Sequence, residues 1–176
     1  MEEQLPAPPS TLRSATKYGL IQGVLAFIVF LVVTLAGIKQ NWVGTVFDTA
    51  LLIVAMVLAH REFKRTHEGM MTYPQGLGSG TLLSIAATVV TCALVYIYVR
   101  FIDTGYLTAA IQVQRAALEQ RGITGAQADQ AMAIAASIMT PGGIVVTSLI
   151  TGVIGGFIVA LLVSIFTRKG DPMAVM

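Results

Sequence analysis

Asp48 is the side chain best placed to do chemistry. It interrupts the apolar run Val43–Ala59, with Thr45 and Thr49 on either side. A carboxylate inside a membrane span is costly, and by default it marks ion or proton handling or a polar pairing. At 1.5 Å per residue it lies about 9 Å below the outer boundary of that run. Arg100, at the outer end of the next run, comes at a similar height. Two readings follow: an Asp48–Arg100 ion pair that pins a bundle, or a station on an ion path. Gln22 is a lone polar group in the inner part of the first run, expected to hydrogen-bond across helices.

His60 and His67, with Glu62 and Glu68, bracket a polar connector. Their spacing matches no metal-ligand motif, and the segment reads as a basic membrane edge attracted to anionic headgroups. Cys92 is alone and lies in an apolar run, so it reads as a small hydrophobe. Asp103, Glu119 and Asp129 are too scattered for an acid pair, and no nucleophile set is visible. No catalytic, metal or cofactor-binding residue is therefore assigned, and the expectation is a protein that is not an enzyme.

The stretch "HEGMMTYPQGLGSGTLLS", His67–Ser84, raises nucleotide binding. A phosphate loop needs a lysine after its last glycine, and a dinucleotide loop needs G-x-G-x-x-G after a strand. This stretch has G-x-G-x-G, no lysine and no predicted strand. It reads better as the start of a membrane helix. Pro74 suits a first turn, and Gly76 and Gly80 share one face. Gly19 and Gly23 repeat the pattern in the first run, and Ser148, Gly152 and Gly156 in the last. Small residues four apart let helix backbones approach closely in lipid. The stripes serve packing within one bundle or contact with a partner or second copy.

These side chains need elements to hold them. Hydrophobic residues make up 55% of the 176 and charged residues 11%, against a usual charged share of about 25%. Charge is absent from 18–38, 69–99 and 130–167, and about 20 apolar residues cross a bilayer as helix. The prediction is an all-α integral membrane bundle with spans near 18–38, 43–59, 77–102 and 143–166. Residues 1–14 read as a disordered tail, 15–169 as one transmembrane domain, and 170–176 as a second tail. "KQNW", Lys39–Trp42, is a tight turn. Residues 105–140 form an extracytoplasmic helical hairpin between helices three and four, broken at Gly122. A Thr124/Gln127 capping box starts its second helix.

Arg13, Lys17, Arg61, Lys64, Arg65, Arg168 and Lys169 fall on one side, and Lys39, Arg100, Arg115 and Arg121 on the other. That bias puts both termini in the cytoplasm. The net charge of +2, dispersed at span ends, gives no nucleic-acid signal.

Together "REFKRTHEGMMTYPQGLGSG", "YIYVRFID", "ALEQRGITGAQADQAMAIAASIMTP" and "SIFTRKGDP" set an order and spacing over Thr16–Asp171. In these the chain resembles the bacterial domain-of-unknown-function family numbered 4199, small four-span membrane proteins found mainly in Bacteroidota. The resemblance implies location and fold, a multi-pass protein of the bacterial cytoplasmic (inner) membrane, and brings no activity and no catalytic residues. The functional expectation is a non-enzymatic accessory or scaffold subunit, acting on a membrane-protein partner or a second copy. The alternative is a small oligomeric transporter or channel for an ion or lipid-linked group, using Asp48 and Arg100.

Overall fold

Inside lipid every backbone N–H and C=O must be paired within its own segment, so charge-free runs become helices. The computed structural model describes residues 11–37, 41–67 and 69–168. Among these are six α-helices and no strand: α1 Thr11–Leu35, α2 Asn41–Thr66, α3 Tyr73–Ile97, α4 Tyr106–Gln120, α5 Ala126–Ile138 and α6 Pro141–Thr167. A π-helical turn, Tyr98–Ile102, follows α3. Four segments are long and apolar enough to cross a membrane: Leu12–Leu35, Trp42–Arg65, Tyr73–Ile102 and Pro141–Thr167.

Their outer faces match that reading. On α6, Ile150, Ile154, Ile158 and Leu162 stand four apart, each more than half exposed. In water such a ladder is an aggregation face; in lipid it is ordinary outer surface.

The helices extend beyond the apolar runs. α1 begins at Thr11, inside the stretch expected as a tail. α2 does not stop at Ala59 but continues through "HREFKR" to Thr66. Arg61, Glu62, Lys64 and Arg65 are good helix formers, and Lys64 and Arg65 in the last turn oppose the negative end of the helix dipole. Composition marks where lipid ends, not where helical hydrogen bonding ends. The expected tail 1–10, residues 38–40 of the first turn, Glu68 and the segment from Lys169 lie outside the described residues.

Helix starts follow cap chemistry. Gln75 Oε1 accepts from the Thr72 N–H at 2.9 Å, one half of a capping box. Thr140 Oγ1 accepts from the Gly143 N–H at 3.0 Å, with Pro141 between them. The Thr124/Gln127 box does not form. Gly125 is the N-cap of α5, with φ 63°, and no side chain caps the helix. Thr124 thus sits one residue too early.

The described chain divides into two compact units, one running to Thr91 and resuming at Thr151, the other Cys92–Ile150. In the first, Ala15, Ala55, Met56, Ala59, Leu83, Ala160 and Val163 form the core, drawn from all four spans. In the second, Cys92 is buried, its Sγ 3.9 Å from the Val145 carbonyl. There the chain leaves α4 through Gly122, φ 77°. Ile123 N–H bonds the Leu118 carbonyl and Gly122 N–H the Glu119 carbonyl, the paired closure that favours glycine. Arg115 bridges α4 and α5, 3.5 Å from Asp129. Burial pushes the Tyr106 phenol up, with Tyr98 and Asp103 adding to the rise.

Candidate functional site

The small-residue stripes are spent on close packing within the first unit. A methyl added at Gly19 would fall 2.7 Å from Ala86 Cβ and 2.7 Å from the Leu83 carbonyl. At Gly23 it would fall 2.6 Å from the Ala87 carbonyl and 2.7 Å from Val90 Cβ. So α1 and α3 run parallel, backbone nearly on backbone. The Thr91 hydroxyl lies 3.0 Å from the Gly23 carbonyl and 3.0 Å from that of Ala87, sharing its one proton between helices.

Another face of α3 meets α6. Gly76 faces Ser164, Gly80 faces Ala160, Ser84 faces Gly156 and Thr88 faces Gly152. Each step of four up α3 is a step of four down α6, the register of an antiparallel pair with small residues at every contact. Ser148, the upper member of the α6 stripe, belongs to the second unit.

Two polar clusters sit among these contacts. Gln22 is buried, 2% exposed, and its Nε2 donates to Asp48 Oδ1 at 3.2 Å. Asp48 is half-buried. Gln22 Oε1 is buried with no partner. Asp48 thus meets a neutral amide on α1, while Arg100 lies exposed in the π-helical turn of the second unit. The sequence placed Gln22 near the inner edge because the first apolar run starts at Tyr18. The alignment of α1 with α2 brings it level with Asp48 instead.

His60 forms the second cluster. Expected on a solvated connector, it is buried, 1% exposed. Nε2 lies 3.1 Å from the Gly76 carbonyl and Nδ1 2.8 Å from Thr167 Oγ1. A carbonyl only accepts, so Nε2 carries a proton, and the ring joins α2 to α3 and α6. The correction has the same cause as the longer α2: helix and bundle continue past the last apolar residue. His67 stays apart, its ring stacked on Phe63 at 4.0 Å with Nδ1 3.0 Å from that residue's carbonyl. Nearby, Lys17 Nζ and Glu62 Oε2 pair at 2.9 Å between α1 and α2.

Sequence reasoning missed Thr91 and Thr167 as cross-helix partners. The available signal was a hydroxyl inside a lipid-length helix, which needs an acceptor. Among the described residues no three His, Cys, Asp or Glu side chains come together in a way that could hold a metal ion. The clusters can accept, donate and orient hydrogen bonds between helices.

The chain belongs to the family described as "Protein of unknown function (DUF4199)", whose model matches residues 17–169. No curated protein and no solved structure matches it.

Proposed function

We propose that this member of the family is a non-enzymatic accessory or scaffold subunit of the bacterial cytoplasmic membrane. Both termini are inside, and α4–α5 forms an outer hairpin that meets a membrane-protein partner. One observation carries the reading. The glycine faces of α1, α3 and α6 meet helices of the same chain, whereas α4 has no buried residue at all. A 15-residue helix ordered beside α5, with every residue at least partly open, is surface available for recognition. The test is a photo-reactive residue at Gln120 in cells producing the protein at native level. A reproducible heterologous crosslink is expected; only self-crosslinks, or none, would overturn the reading.

A second reading has its own observation. The half-buried Asp48 carboxylate and the orphaned Gln22 Oε1 are an expensive polar pair within two spans, which suits a small oligomeric transporter or channel. Ion flux into liposomes that falls to background with Asp48→Asn would favour it. Unchanged flux would remove Asp48 from any path.

A further inference from the structure

We propose that the α4–α5 pair stands in the outer edge of the bilayer on an apolar base, with Ile134, Ile138, Phe101 and Ile102 among the lipid and its charged tip in water. The inference rests on the four-span reading and deepens the proposed function, because it says which end of the pair a partner can reach.

Chain length comes first. Only Asp103–Gly105 separate the π-helical turn from α4, and only Met139 and Thr140 separate α5 from α6. At most about 3.6 Å per residue, these links hold both lower ends of the pair within roughly 10 Å of where two membrane-length helices emerge. The polar layer of a bilayer is about 5–7 Å deep on each side, and the Ile138 carbonyl lies directly against Gly143 in the first turn of α6, so the end of α5 stays at the level where α6 emerges.

Polarity comes second, and it runs along the pair instead of across it. The exposed large hydrophobics next to the links are Phe101 at 74%, Ile102 at 70%, Ile134 at 58% and Ile138 at 47%. Within α4 and α5 the charged residues gather at the far end, with Arg115, Glu119 and Arg121 late in α4 or just after it and Asp129 early in α5, while at the base Arg100 and Asp103 flank Phe101 and Ile102, where polar headgroups take up their charge. Arg115 pairs with both Glu119 and Asp129 there. Asp129 is nine residues before Ile138, about 14 Å along the helix axis. A helix lying flat on a membrane carries its apolar residues along one side for its whole length. Here α5 has them only in its last turns. Burial of Ile134 and Ile138 in lipid satisfies the hydrophobic effect while the ion-paired tip keeps its water.

The test uses full-length protein in lipid nanodiscs with Cys92→Ala as background. Nitroxide labels go singly on Ile134→Cys, Ile138→Cys and Gln120→Cys, and collisions with oxygen and with a water-soluble nickel chelate are compared. The oxygen-to-nickel ratio should be several-fold higher at the two isoleucine positions than at Gln120. Equal ratios would put the base in water and overturn the proposal. Protection from both reagents would put protein against the base and overturn it too. Wild-type protein, photolysed in lipid with a diazirine at the upper end of the acyl chain, gives the label-free check. Adducts should map to the peptide holding Ile134 and Ile138, and their absence there would count against the proposal. A water-exposed base leaves the accessory role standing, whereas a missing partner crosslink at Gln120 leaves the lipid contact standing.

Discussion

Gly23→Ala is the sharpest probe of the packing. The new methyl would lie 2.6 Å from the Ala87 carbonyl oxygen and 2.7 Å from Val90 Cβ. Comfortable carbon contacts lie near 3.5–4.0 Å, and neither neighbour is the loose end of a long side chain. α1 and α3 must therefore separate by roughly 1 Å. Overpacking of this kind costs about 1–3 kcal/mol. Separation also stretches the 3.0 Å bond from Thr91 to the Gly23 carbonyl, losing about 0.5–1 kcal/mol. Against this, alanine is a better helix former by about 1 kcal/mol. The net expectation is a loss of about 0.5–3 kcal/mol in SDS-induced unfolding of purified protein in mild detergent. Gly155→Ala is the internal control. A methyl there meets nothing within 4 Å, so only the propensity gain remains and stability should hold or rise. If the two variants unfold alike, the close approach of α1 to α3 is refuted.

Three further outcomes follow from the same structure. His60→Leu keeps most of the volume but removes the bonds to Gly76 and Thr167; unfolding in the same assay should become easier by about 1–3 kcal/mol. Asp48→Asn retains a side-chain acceptor for Gln22 and should match wild type in stability, while Asp48→Leu leaves the buried amide only the long 3.5 Å contact to the residue-48 carbonyl and should cost about 1–3 kcal/mol; equal stability of all three would mean the side-chain pair adds nothing to the fold. Gly122→Ala forces a side chain into φ 77° at about 1 kcal/mol, so amide exchange in α4–α5 should quicken about five-fold, with α1–α3 unchanged.

The spans were legible because lipid imposes composition directly. A charge among Leu, Ile and Val is penalised wherever the neighbours lie, so charge-free runs read without tertiary knowledge. The glycine pattern was legible in kind, since Gly19, Gly23, Gly76 and Gly80 announce a close approach. Which helix each face meets depends on how four cylinders are arranged, and one strand of text does not contain that. The polar partners were harder for the same reason. Gln22 and Asp48 are 26 positions apart, and their meeting depends on how α1 and α2 align along their axes, which apolar composition does not record. His60 looked like connector because it follows Ala59 and precedes Arg61, and only the packing of Gly76 and Thr167 against it makes it interior. Gly122 was readable because its role is local, whereas Thr124 lost its capping place to Gly125, a matter of one residue.

The α3–α6 interface has translational degeneracy. Small residues recur every fourth position on both helices, so shape alone does not define a unique alignment. Sliding α6 by four residues, about 6 Å, would set Gly76 against Ala160, Gly80 against Gly156 and Ser84 against Gly152, small against small once more. The steric profile is a ruler with identical marks. His60 supplies the zero: its two nitrogens reach Gly76 on one helix and Thr167 on the other, and a shifted α6 carries Thr167 out of range. Along a seam whose shape repeats, the imidazole is a polar mark that distinguishes one alignment from the next.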